Sequence, residues 1–451
     1  MTSHPAKLTL PGHSRLRQSE FLYGVATASF QIEGAADRRQ PSIWDTFCAT
    51  EGKIRDGSDG QVACDHVQRW QEDVELIQYL GVDAYRLSVS WGRLMNSDGS
   101  LNEEGAEFYL SLLDELNRLG IKVFVTLYHW DLPQALEDEG GWLNRETAYR
   151  FRDYADLASR LFGDRVYAYA TLNEPFCSAY LGYEVGIHAP GLAKPAFGRQ
   201  AAHHLLLAHG LAMAVLKRNC PQALCGIVLN FTPCYPHSDS DADRAAARYA
   251  DEYFNQWFIK PLFDGRYPEI IASLDEADRP VMEPGDAEIL THPMDYIGIN
   301  FYTREVYEAD PHHPFRTVTL PDVERTDMGW EVYPQALTDL LVSLNRTYPL
   351  PPIYITENGI AVADQLQPNG VQDVDRIRYY QAHLEAVDAA IEQGVDVRGY
   401  FAWSLMDNFE WAEGYLKRFG LVYVDYGSQQ RTIKASGHAY RDFIRSRSER
   451  S

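Results

Sequence analysis

Two glutamates stand out as residues placed to do chemistry. Glu174 ends the stretch Tyr-Ala-Tyr-Ala-Thr-Leu-Asn-Glu-Pro, residues 167–175, between Asn173 and Pro175. Aromatic and small residues alternate there as in a strand. Pro175 has no backbone N–H and pushes the residue before it towards an extended conformation, so the strand stops at the glutamate. Glu357 closes a second apolar run, Pro352-Ile-Tyr-Ile-Thr-Glu-Asn-Gly359, in the same way and again beside an amide. One carboxylate alone does little. Two, at the carboxyl ends of two parallel strands, form the arrangement that cleavage of a glycosidic bond needs.

Such a pair requires a scaffold that gathers strand ends, and the rest of the chain reads as one. Apolar strands are predicted over 21–29, 83–91, 122–130, 166–174, 225–233, 294–303, 353–357 and 397–406. Between and after them, helices are predicted over 69–80, 103–119, 145–162, 198–219, 241–259, 334–346, 375–393 and 435–447, several ended by a glycine. Strands in strict alternation with helices run parallel, and eight such units close a single (β/α)8 TIM barrel. A doubly wound open sheet is the alternative, but no glycine-rich phosphate turn follows the first strand. No Pro- or Ser-rich linker divides the 451 residues, which reads as one domain with a loose arm over 1–19. The longer segments 34–68, 174–198 and 303–333 follow strands, which puts them on the face that carries the glutamates.

Bulk composition narrows the partners. A net charge of −23 argues against nucleic acid, an anionic membrane surface or a highly charged anionic substrate. No apolar run reaches the ~18 residues of a membrane span, and the first residues lack the apolar core of a signal peptide. The expectation is a soluble cytoplasmic protein. Its six cysteines show no Cys-x-x-Cys spacing and read as ordinary reduced thiols, with no disulfide framework and no metal site.

The predicted strand ends carry Gln31, Arg86, His129, Asn173, Glu174, Asn230, Asn300, Tyr302, Glu357 and Trp403. Amides, an imidazole, carboxylates, an arginine and aromatic rings suit a ring of hydroxyls above an apolar platform. Arg86, near two carboxylates, would keep one of them ionised. His129 reads equally well as a satisfied core histidine, and Trp403 as core packing.

Five segments then carry a resemblance over nearly the whole chain. Gly24-Val-Ala-Thr-Ala-Ser-Phe-Gln-Ile-Glu-Gly34, Thr171-Leu-Asn-Glu-Pro175, Ile355-Thr-Glu-Asn-Gly359, Trp403-Ser-Leu-Met-Asp-Asn-Phe-Glu-Trp411 and Arg418-Phe-Gly-Leu-Val-Tyr-Val-Asp425 occur in that order. In this the chain resembles the β-glucosidases of glycoside hydrolase family 1. The resemblance implies a retaining double displacement on small β-glucosides, without metal or organic cofactor, with Glu174 as acid/base and Glu357 as nucleophile. It implies that Gln31, His129, Asn173, Glu410 and Trp411 bind the glycone hydroxyls, with Trp403 beneath the ring and Tyr302 beside Glu357. Arg86, Asn300, Trp330 and Phe419 would support them, Trp330 on the aglycone side.

Phe176 stands where the family often has Trp, which bears on aglycone preference. Phe301 replaces a common Tyr, and Gly92 and Asn96 replace prolines. Glu410 argues against a 6-phospho-β-glucosidase, because a carboxylate there would repel the phosphate. Glu174 argues against a thioglucosidase, and both glutamates together against an inactive sugar-binding barrel. Transglycosylation in the same site, activity on β-fucosides or β-galactosides, and a homo-oligomeric state stay open.

Overall fold

The structure, a computed structural model, describes residues 6–447. Eight parallel strands close a barrel. They are β1 Leu22–Ala26, β2 Ala84–Ser88, β3 Lys122–Tyr128, β4 Ala168–Asn173, β5 Leu224–Phe231, β6 Tyr296–Phe301, β7 Ile353–Asn358 and β8 Val397–Trp403. Each pairs with its neighbour in sequence, and β1 pairs with β8 to complete the circle. The strands are apolar on both faces because both are covered. One face fills the barrel interior, and the other packs against surrounding helices. The helices His66–Leu80, Glu103–Arg118, Glu146–Phe162, Pro195–Asn219, Gln335–Thr347, Val374–Glu392 and Ala435–Ser446 match the predicted ones within a few residues.

Aromatic rings plug the barrel at the end away from the glutamates. Phe124 sits 4.8 Å from Phe401 and 5.3 Å from Tyr354, whose ring lies 5.5 Å from Tyr296. So many rings in one interior need small residues opposite them. A Cβ added to Gly24 would lie 2.4 Å from the Phe401 ring, which is why β1 carries a glycine there.

Two expectations are corrected. The predicted helix over 241–259 is Asp241–Asp251, then a wider-pitched stretch Glu252–Gln256, then Trp257–Asp264, which runs through Pro261. Within segment 174–198, Cys177–Val185 coils as a second wide-pitched helix. The arm is not loose over its described part; residues 1–5 lie outside the described residues. Leu8, Leu10 and Leu16 are buried, the Ser14 hydroxyl donates to Asp388 at 2.7 Å, and Arg17 donates to the Ser446 carbonyl at 2.9 Å. Three leucines within nine residues are enough to seat it, although they follow no helical or strand period. No helix among the described residues is long and apolar enough to cross a membrane.

Candidate active site

Glu174 lies just beyond the end of β4. The ladder between β4 and β5 shifts register between Ala170 and Asn173, and Glu174 itself adopts φ 49°. A left-handed backbone costs a non-glycine residue of the order of 1–3 kcal/mol, and here the fold holds it to aim a carboxyl group. The β7 ladder also shifts, between Ile355 and Glu357, so both glutamates follow an irregularity that re-aims a side chain.

A chain of hydrogen bonds ties the two together. Arg86 donates from Nη1 to Glu357 Oε1 at 2.9 Å and from Nη2 to Asn173 Oδ1 at 2.7 Å. Asn300 Nδ2 donates to the same Asn173 oxygen at 3.0 Å and to Glu174 Oε2 at 2.6 Å. Tyr302 holds the other oxygen of Glu357 at 2.6 Å. Arginine only donates, so Asn173 must turn its oxygen to Arg86 and its Nδ2 to His129 Nε2, 3.1 Å away. His129 Nε2 is then an acceptor and the ring proton sits on Nδ1. Burial and the charge of Arg86 keep the imidazole well below its usual pKa, so it is neutral.

The electrostatics separate the carboxyl groups. Glu357 has a guanidinium and a phenol on its two oxygens. Glu174 is pushed up to about 8, first by burial and then by the charge of Glu357. Glu410 is also pushed up to about 8, by burial and then by Glu357 and Glu174. One carboxylate beside a cation and a protonated carboxylic acid nearby are the two forms that acid-assisted displacement uses.

These groups surround a cavity of about 480 Å³ whose walls include His129, Trp130, Glu174, Glu357, Trp403 and Glu410. Its lining also includes Phe176, Met328, Trp330 and Phe419 with Asn230, Thr232 and Glu305. The rings of Trp403 and Trp411 lie 6.1 Å and 5.8 Å from His129, nearly parallel to it. Gln31, Asn173 and Arg86 are fully buried beside this wall, Asn173 against His129 and Arg86 against Glu357. Gln31 donates to Asn408 Oδ1 at 2.9 Å and to the Phe409 carbonyl at 2.8 Å, which leaves its Oε1 buried without a partner. Glu410 Oε2 and His129 Nδ1 are likewise buried and unpartnered. Buried polar atoms left open in this way fit a ligand rich in hydroxyl groups.

Comparison with known proteins decides the family. Residues 13–449 match glycosyl hydrolase family 1. The chain belongs to that family. A β-glucosidase of Agrobacterium sp. is 46% identical over 430 residues, covering 93% of this chain and 94% of that one. A bifunctional β-D-glucosidase/β-D-fucosidase of Bifidobacterium breve is 45% identical, covering 95% and 98%. The structure of a β-glucosidase from Thermotoga maritima in complex with deoxynojirimycin superposes with a TM-score of 0.92 at 42% identity, covering 95% and 98%.

In this family 1 chain the loop that carries Glu410 and Trp411 is anchored from below by buried charges. Asp407 accepts from Lys434 Nζ at 2.7 Å and from Arg418 Nη1 at 2.7 Å. Lys434 also reaches Asp364 at 2.6 Å, and Arg376 spans Asp364 at 2.8 Å and Asp373 at 2.6 Å. Three cations balance three carboxylates in a site that is almost fully dry. Lys434→Met would leave Asp364 and Asp407 buried with too little positive charge. We expect a loss of about 3–5 kcal/mol in urea unfolding. A loss below about 1 kcal/mol would show that the remaining arginines suffice.

The sequence reading missed several residues that hold the family 1 site. Trp130 donates from Nε1 to the Asn173 carbonyl at 2.9 Å, and Thr356 donates to Asn300 Oδ1 at 2.6 Å. Asn408 holds Gln31, and Cys177 donates to Glu174 Oε1 at 3.1 Å. Each lies within three residues of one that was singled out, so closeness in sequence was a usable signal. What it could not supply was which side chain turns towards which.

Proposed function

We propose that this family 1 chain is a retaining β-glucosidase that removes terminal non-reducing β-D-glucosyl residues from cello-oligosaccharides and from aryl and alkyl β-glucosides. The observation that carries the reading is the hydrogen-bonded path Glu357–Arg86–Asn173–Asn300–Glu174. It holds both carboxyl groups on a single cavity, Glu357 against the Arg86 guanidinium and Glu174 where burial and the Glu357 charge favour its protonated form. Retention requires the two to stand about 5 Å apart, with no room for a water between them.

In the first step the Glu357 carboxylate attacks the anomeric carbon as the glycosidic C–O bond breaks. The proton of Glu174 passes to the departing oxygen. The product is a glycosyl ester on Glu357 and a carboxylate on Glu174. In the second step Glu174 takes a proton from water, the water oxygen attacks the anomeric carbon, and the ester bond to Glu357 breaks. Asn173, next to the reacting carbon, binds the 2-hydroxyl most tightly when the ring carries oxocarbenium character. Trp403 supplies the floor, and Gln31, His129, Glu410 and Trp411 take the remaining hydroxyls. Trp330 and Phe176, which also line the cavity, face the aglycone. Six unpaired cysteines and an acidic surface support a reducing, cytoplasmic setting.

The reading extends to β-D-fucosides, which lack the 6-hydroxyl, in line with the Bifidobacterium relative. The test is hydrolysis of 4-nitrophenyl β-D-glucoside beside the β-fucoside, the β-galactoside and the 6-phospho-glucoside. Turnover of the plain glucoside and none of the phosphorylated one is expected. Silence on every glycoside would overturn the proposal. Because Glu174 must be protonated to act as acid, kcat/KM for the glucoside should fall as pH rises through about 8. Glu410 titrates in the same range, so the observed midpoint belongs to the interacting set.

A further inference from the structure

Two donors hold Glu174, and they have different origins. Asn300 comes from β6 and gives Nδ2 to Oε2 at 2.6 Å. Cys177 comes from the turn itself and gives its thiol to Oε1 at 3.1 Å. The backbone N–H of Cys177 also donates to the Glu174 carbonyl at 2.9 Å, which folds the thiol back against the carboxyl group. Cys177 is 7% exposed and shares the cavity wall with Glu174.

We propose that Cys177 is a positioning residue for the acid/base: with Asn300 on Oε2 leaving the labile proton to Oε1, its thiol orients Oε1 and steadies the carboxylate left when that proton departs. This rests on Glu174 being the acid/base.

The polarity of the network supports it. Asn300 turns its Oδ1 to the Thr356 hydroxyl at 2.6 Å, so its Nδ2 faces Glu174. An N–H that close needs a lone pair, which makes Oε2 the carbonyl oxygen of the neutral acid and leaves the proton to Oε1. A thiol is a weak donor and adds little against a neutral acid. Against a carboxylate the same bond becomes charge-assisted and strengthens. It therefore favours proton release, opposing the burial and the Glu357 charge that make Glu174 a weak acid. Burial and the nearby carboxylates push the thiol itself well above its usual pKa, so it remains S–H and donates. The other ionisable groups around Glu174 are Glu357 and Arg86 from β7 and β2, Glu410 and Tyr302 from the loops, and neutral His129 after β3. Among the described residues, none of these bonds Oε1.

The experiment compares pH profiles of kcat/KM for the wild type, Cys177→Ala and Cys177→Ser, on an alkyl glucoside and on 2,4-dinitrophenyl glucoside. With alanine the alkaline limb should move up by about half a pH unit. Alkyl glucoside cleavage should slow by about 3- to 10-fold while the dinitrophenyl substrate stays within about 2-fold. Serine, a stronger donor, should return the limb to the wild-type position or below it. A limb that stays fixed in both variants overturns the proposal. So do equal losses on both substrates with a lowered Tm, which is what a thiol that only fills space would give. Glu174→Ala serves as the control. If it slows both substrates equally, the acid assignment itself fails; if it slows the alkyl glucoside far more than the dinitrophenyl one yet the limb ignores Cys177, only the role of the thiol fails.

Discussion

Glu357→Ala is expected to lower kcat on 4-nitrophenyl β-D-glucoside by roughly 10⁴-fold or more, the scale of removing a covalent nucleophile. The variant should still fold. It removes one buried charge, but Arg86 keeps Asn173 and the Thr356 carbonyl as acceptors. Added azide or formate fits the space left by the side chain and should restore part of the turnover. The small anion would attack from the face that Glu357 occupied, so the product should have inverted configuration. Recovery with a retained product would mean that the nucleophile lies elsewhere, and loss without any recovery at high azide would point the same way. Thermal unfolding of the variant separates chemistry from folding.

The second large effect concerns Glu174, and its signature is selectivity between leaving groups. An alkoxide leaves poorly and needs its proton during bond cleavage, whereas a dinitrophenolate does not. Glu174→Ala should therefore slow glycosylation from cellobiose by about 10³-fold and change that from the dinitrophenyl glucoside far less. The second step still lacks its base, so the glycosyl-enzyme should accumulate and give a burst of phenol. Azide would relieve that step by attacking the intermediate without base assistance, releasing a β-glucosyl azide of retained configuration. The two variants thus give opposite product stereochemistry with one nucleophile. Equal losses on both substrates, with no burst, would remove Glu174 from the acid role.

Much of this could be read directly from the chain. Pro175 ends β4 beside Glu174 because proline cannot extend the ladder. The runs at 123–128 and 353–355 are almost wholly apolar because both faces of a barrel strand are covered. Patterns of that kind repeat within a few residues, so local periodicity exposes them. The wide-pitched turns at Cys177–Val185 and Glu252–Gln256 follow no simple period and stayed hidden. The seating of Leu8, Leu10 and Leu16 was equally invisible, because it depends on the helix Val374–Glu392 and its neighbours far along the chain.

By itself, then, the sequence determined the alternating strands and helices, the closure of eight units and the placing of two glutamates at strand ends. It also set the family motifs around them. Only the tertiary structure decided that Arg86 joins Glu357 to Asn173, that Asn300 joins Asn173 to Glu174, and that a cysteine thiol turns back onto Glu174. It also decided that Lys434 locks the loop bearing Glu410. The reason is physical. Strand and helix formation depend on neighbours along the chain, whereas protonation and hydrogen-bond polarity depend on burial and on charges a few ångströms away. Those charges sit on β2 and β7 and just beyond β4, and they meet the amides of β4 and β6 only when the barrel closes.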